Sequence, residues 1–145
     1  MKQELVKDWM ICNVVTVTPD MTLPDAQRLM TEQGIRRLPV VENGHLVGIV
    51  TRGDTREADP SSVTFLSTWE LNDMLTKTKV GQIMTPKPIT ISQEATVGEA
   101  AQILLEHKIS GLPVVDGVGK LVGIITESDI FRLVVRAWSK TTEAG

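Results

Sequence analysis

Shifted by 74 places, this amino-acid sequence lies on itself: Val6 to Asn43 falls on Val80 to Gly117 without a gap, and one extra residue near Val118 then moves the offset to 75. Ile35-Arg36-Arg37-Leu38-Pro39-Val40-Val41 meets Ile109-Ser110-Gly111-Leu112-Pro113-Val114-Val115, and Leu46-Val47-Gly48-Ile49-Val50-Thr51 meets Leu121-Val122-Gly123-Ile124-Ile125-Thr126. About a third of the aligned positions are identical, and the matches fall where apolar periodicity places buried strands. A unit this short with one apolar sheet face cannot bury that face alone, so the duplication predicts two units packed sheet to sheet.

Each repeat reads as strand, helix, strand, strand, helix. A short strand (Val14 to Val17; Ile89 to Ile91) precedes a helix opened by Thr22 or Thr96, where Asp25 and Glu99 three residues on form capping boxes. The helices are expected to run to about Gln33 and His107, with Gly34 as a C-terminal stop. Two β-branched runs follow, Leu38 to Val41 and Leu46 to Thr51, joined across Asn43-Gly44, a strong hairpin signal; the second repeat uses Asp116-Gly117-Val118-Gly119. A second helix begins after Thr51 or Thr126.

The stretch from Thr55 to Lys79 is too long for a structureless connection in a compact domain. Ser67-Thr68-Trp69-Glu70 predicts a capped helix, with Leu66, Trp69, Leu71, Met74 and Leu75 as its apolar side. That helix either packs on the flank of the module or covers a pocket mouth. The fold class is mixed α/β (α+β) with two pseudo-symmetric repeats: residues 1–58 form the first, 59–79 a helical linker, 80–138 the second and 139–145 a C-terminal tail.

Composition excludes several functions. The longest apolar runs, such as Leu121 to Ile125, fall far short of the roughly 20 residues of a membrane helix. The charged N-terminus does not read as a secretory signal, so a cytoplasmic location is expected. Cys12 is the single cysteine, and His45 and His107 lack ligand-like spacing, so neither a disulfide framework nor a metal site is expected. A net charge of −3 with 3% aromatics and no tyrosine argues against nucleic acid as a partner. No catalytic constellation, P-loop or Gly-x-Gly-x-x-Gly is present, so the chain is not expected to be an enzyme.

The informative motif is Gly48-Ile49-Val50-Thr51-Arg52-Gly53-Asp54, repeated as Gly123-Ile124-Ile125-Thr126-Glu127-Ser128-Asp129. Thr-x-x-Asp at a strand-to-helix junction is itself a helix cap. The same carboxylate can also accept two hydrogen bonds from a vicinal diol, with the threonine hydroxyl adding a third, which suits a ribose. A phosphate would need separate cations, and Arg36 and Arg37 are candidates unless they are simply solvated edge residues. The second repeat places Ser110-Gly111 there instead, so the two sites are chemically unequal.

These residues resemble the CBS domain family, named after cystathionine β-synthase, arranged as the tandem pair called a Bateman module. The resemblance runs from about Val6 to Arg136 and rests on the paired Leu-Pro-Val-Val and Gly-x-x-Thr-x-x-Asp segments. It implies a strand-swapped sheet pair with two clefts for adenosine-containing ligands: AMP, ADP, ATP or S-adenosylmethionine. By that resemblance Asp54 and Asp129 hold ribose hydroxyls with Thr51 and Thr126 assisting. Thr16, Ile35 and Pro39, with Thr90, Ile109 and Pro113, line the base pocket, and Arg36 and Arg37 meet phosphate. Ala58-Asp59-Pro60-Ser61 and the length are similar to the acetoin-utilisation accessory group of such proteins, although the further C-terminal domain common in that group is expected to be lacking.

The last helix supplies a partner expectation. Ile130, Phe131, Leu133, Val134, Val135, Ala137 and Trp138 are more apolar than one buried face requires, which points to a homodimer unless this is an ordinary core helix. The leading expectation is a regulatory ligand sensor that acts on an unidentified partner protein. The alternative is a constitutive dimerisation scaffold whose Thr-x-x-Asp motifs are merely caps.

Overall fold

The structure, a computed structural model, describes residues 3–62 and 65–144, with the backbone alone at residues 62 and 140–144. In chain order the elements are α1 (Val6–Trp9), α2 (Leu23–Gln33), β1 (Arg37–Glu42), β2 (His45–Thr51), α3 (Arg52–Ala58), a 3-10 turn (Pro60–Ser62), α4 (Thr68–Lys77), α5 (Val80–Ile83), β3 (Thr85–Pro86), β4 (Ile91–Ser92), α6 (Val97–His107), β5 (Gly111–Val115), β6 (Leu121–Thr126) and α7 (Glu127–Ala144). They form two compact units, one of residues 15–88 and the other of residues 3–14 with 89–144.

The first unit is a three-stranded sheet of order β1-β2-β3. The β1–β2 hairpin turns at Asn43 and Gly44, both at positive φ (52° and 80°), as a tight two-residue turn of right-handed twist requires. Val17 adds a parallel bridge to Val40. The alternate residues Leu38, Val40 and Val50 bury one sheet face against Ala26 and Met30 of α2, together with Val17 and Val80. Gly34 ends α2 in the left-handed conformation, donating to Met30 and Thr31 carbonyls.

The second unit repeats this plan with the sheet order β4-β5-β6, β4 lying parallel to β5. Its core joins Leu112, Val114 and Ile125 to Ala100 and Leu104 of α6, Leu133 of α7, and Val6 of α1. The extra residue in its hairpin is absorbed by a wider turn, in which Asp116 Oδ1 accepts the backbone N–H groups of Val118 (3.0 Å) and Lys120 (2.9 Å).

The compact units are offset from the sequence repeats. Ile11, which opens the first repeat, bridges Ile124 in the second unit, and Thr85, which opens the second repeat, pairs with Ile49 in the first. Two glycines permit this exchange. A Cβ at Gly123 would stand 2.6 Å from Met10 Sδ and 2.9 Å from the Ile11 carbonyl, while a Cβ at Gly48 would collide with Met84 and reach the Thr85 carbonyl at 3.0 Å.

Several local expectations are corrected. The strand expected at Val14 to Val17 is a single bridge at Val17, and the turn at Pro19 keeps it from continuing past that residue. Thr96 and Glu99 form a complete capping box, but at Thr22 only the Asp25 backbone N–H is bound; the Asp25 carboxylate reaches Arg28 (3.3 Å) instead. The linker helix exists as α4, yet Trp69 and Met74 face out, at 75% and 46% exposure, while Leu66, Leu71 and Leu75 are half-buried. The stretch read as a tail continues α7 as far as Ala144, since neither Gly nor Pro interrupts it. Among the described residues no helix is long and apolar enough to cross a membrane.

Candidate functional site

In both units the second strand of the hairpin passes into a helix without a loop, and the Thr-x-x-Asp motif sits on that bend. Thr51 is the N-cap of α3: its Oγ1 accepts the Asp54 backbone N–H (3.2 Å), and Asp54 Oδ2 accepts the Thr51 backbone N–H (2.9 Å). One turn on, Thr55 is buried and donates its hydroxyl to the Arg52 carbonyl (2.7 Å). Asp54 itself is half-buried, and among the described residues its Oδ1 accepts no hydrogen bond.

The second junction is closed more tightly. Asp129 Oδ2 accepts both the backbone N–H (2.8 Å) and the hydroxyl (3.2 Å) of Thr126, while Oδ1 is taken by the Arg132 guanidinium. Asp129 is 1% exposed. The motif is a full capping box in the first repeat, whereas in the second only Asp129 reaches back to the N–H before the helix; in both, a carboxylate on the first turn complements the helix dipole.

The remaining expected residues fall around these bends. Arg37 is the cross-strand partner of Thr51, and the Arg36 carbonyl accepts the Arg52 N–H (2.8 Å), so both arginines flank the first junction. The Arg36 side chain is exposed. In the second unit Gly111 partners Thr126, and the Ser110 carbonyl accepts the Glu127 N–H (3.0 Å), so no arginine occupies the equivalent place.

Thr16 precedes Val17, whose N–H donates to the Pro39 carbonyl (3.1 Å); Thr90 likewise precedes Ile91, which pairs with Val114 beside Pro113. Pro39 and Pro113 are buried, and Ile35 and Ile109 are half-buried against their own cores. The prolines leave little surface for a ligand, while the two isoleucines keep part of theirs. Thr16 is exposed and Thr90 half-buried.

Two features were not expected from the sequence. Arg132 is one, although an Asp and an Arg three apart on a helix is a readable ion-pair signal. The other is a shallow groove of about 540 Å³ beside α7, lined by Trp9, Ser128, Phe131, Arg132, Val135 and Arg136, with the Arg136 guanidinium 5.8 Å from the Trp9 ring centroid.

The model of the CBS domain matches the chain twice, at residues 6–61 and 80–136. The chain belongs to the CBS domain family. Among its relatives, an inosine-5'-monophosphate dehydrogenase of Korarchaeum cryptofilum is 39% identical over 86% of this chain, but the match spans only 23% of the dehydrogenase. A CBS domain-containing protein of Dictyostelium discoideum is 37% identical, covering 91% of this chain and 92% of that protein.

Solved CBS structures agree in fold. CBSX2 from Arabidopsis thaliana in complex with AMP superposes with a TM-score of 0.77 at 32% identity, covering 92% of this chain and 98% of that one. The CBS domain pair of protein MJ0100, bound to 5'-methylthioadenosine and S-adenosyl-L-methionine, gives 0.78 at 29% identity, covering 94% and 99%. A protein described as an acetoin utilization protein (AcuB), from Vibrio cholerae, gives 0.79 at 31% identity, covering 98% of each chain, in line with the resemblance read from the sequence.

Proposed function

We propose that this CBS pair is a regulatory module that senses adenosine-containing ligands (AMP, ADP, ATP or S-adenosylmethionine) and transmits their occupancy to a partner protein. The observation that carries the reading is the first Thr-x-x-Asp junction, where the half-buried Asp54 keeps one carboxylate oxygen for a ribose diol beside Arg36 and Arg37. A carboxylate alone would repel phosphate; the two arginines supply the compensating charge. In this reading Thr51 assists Asp54, and Thr126 assists Asp129 where that carboxylate is available. Thr16, Ile35 and Pro39, with Thr90, Ile109 and Pro113, flank the base. The AMP bound by CBSX2 and the S-adenosylmethionine bound by MJ0100 support this ligand class.

Transmission requires that the ligand favour one of two arrangements of the module, since only differential affinity shifts an equilibrium. A homodimer belongs to the same proposal. Phe131, Val135 and Trp138 recur at helical spacing along α7 and are 63%, 64% and 68% exposed, an apolar stripe suited to a second copy. A reducing compartment such as the cytoplasm suits the exposed thiol of Cys12.

One observation favours a second reading, a dimerisation scaffold without ligand: both aspartates already cap their own helices. Isothermal titration of the protein with AMP, ADP, ATP, S-adenosylmethionine and NAD, repeated on Asp54→Ala and Asp129→Ala, separates the two. Saturable binding that either variant weakens is the expected result. Binding by none of the five, from folded protein, would leave the scaffold.

A further inference from the structure

Arg132 has no equivalent in the first repeat: under the 75-residue offset its counterpart is Glu57. We propose that Arg132 is a positioning residue that closes the second junction, so that the chain takes one adenosine-containing ligand, held at Asp54. This rests on the ligand-sensing reading above and names its stoichiometry and the residue that sets it.

A ribose diol needs a carboxylate with acceptor sites to spare and a threonine hydroxyl whose proton is not already committed. At the second junction both are spent. Asp129 Oδ1 is taken by Arg132, Oδ2 holds the Thr126 backbone N–H at 2.8 Å, and the Thr126 hydroxyl donates to that same oxygen at 3.2 Å. A neutral diol would have to displace a guanidinium, the stronger donor to a carboxylate. The pair sits one helical turn apart, and Arg132 keeps 61% of its side chain in water, so the guanidinium loses little hydration in capping the buried carboxylate.

The first junction differs at each point. Asp54 Oδ1 accepts no hydrogen bond among the described residues, and Thr51 Oγ1 accepts from the Asp54 backbone N–H at 3.2 Å, which leaves its hydroxyl proton for a ligand. Glu57, one turn on, brings a second carboxylate where the other repeat has a guanidinium, and cannot close the site. Of the arginines on that side, Arg36 and Arg37 lie on the strand side of the bend, and Arg52 and Arg56 of α3 make no hydrogen bond to Asp54 among the described residues.

The test is isothermal titration with AMP of the wild type, Arg132→Ala, Arg132→Lys and the double variant Asp54→Ala/Arg132→Ala, each shown by thermal melting to be folded. Wild type should bind one AMP per chain and Arg132→Ala two. Arg132→Lys, which keeps a cation within reach, should return the count to one, and the double variant should keep one, at the second junction. Two AMP per wild-type chain, or an unchanged count in Arg132→Ala, overturns the closure while leaving ligand sensing intact. If wild type binds no AMP, the sensing reading fails at Asp54; Arg132→Ala then decides the closure separately, one AMP upholding it and none overturning it as well.

Discussion

In the first repeat the helix that follows Thr-x-x-Asp lasts 7 residues, and in the second it runs for 18. The cause is local. Asp59 precedes Pro60, and a residue before proline is pushed out of the helical region; Asp59 is extended, at φ −76° and ψ 119°, and α3 stops. The matching residues of the second repeat, Val134 and Val135, let α7 continue, and Val135 joins the apolar stripe it carries outward. At the start of the same two helices the aspartates also part company, one half-buried beside Glu57 and the other sealed by Arg132. A duplicated pattern therefore sets the backbone bend twice, while residues one or two turns downstream decide what each bend is free to do.

The largest expected effects test what the repeats share. Gly123→Ala and Gly48→Ala each drive a methyl group into a methionine and a backbone carbonyl of the exchanged segment, and the carbonyl cannot swing aside. Each should cost about 1–3 kcal/mol in denaturant unfolding, as overpacked sites do. Neutral outcomes at both would mean that the exchanged segments do not lie on the glycines.

The next effect should separate the repeats. Asp129→Ala removes three hydrogen bonds from a buried carboxylate and Asp54→Ala only one from a half-buried one. We expect about 2 kcal/mol for the first and about 1 kcal/mol for the second, within the usual range for lost caps and charged hydrogen bonds. Equal costs, or the reverse order, would break the contrast between an open and a closed junction.

The smallest effect concerns Asp59, whose place in the second repeat is held by Val134. Hydrogen bonds from Gln27 Nε2 (2.9 Å) and from Ser61 hold its carboxyl below the ordinary value of 3.8. A depressed folded-state pKa stabilises the fold above the unfolded value, and that contribution is lost as the pH falls through 3.8 and below. Asp59→Asn should therefore be less stable than wild type near neutrality, with the gap closing in acid. A gap independent of pH would remove the Asp59 contribution from the first repeat.

Much of this was legible in the sequence. The repeat offset, the hairpins at Asn43-Gly44 and Asp116 to Gly119, and the helix ends at Gln33 and His107 follow from turn chemistry and periodicity acting over a few residues. The exchange of Ile11 and Thr85 between repeats was not legible in the residues themselves, because one- and two-residue pairings leave no periodic signature; only the family resemblance implied it. The exposure of Trp69 was missed because α4 buries none of its side chains fully, and an apolar count does not say which face meets the core. At the candidate site the Thr-x-x-Asp spacing located both bends but not their difference, which lies in Arg132 against Glu57, residues outside the motif.

The most direct test of ligand sensing at the first junction is a crystal structure of the protein grown with AMP. The account predicts ribose hydroxyls within about 2.5–2.7 Å of Asp54, a charge-assisted hydrogen bond, and phosphate beside Arg36 and Arg37. A nucleotide held away from Asp54, or none at millimolar AMP, would contradict it.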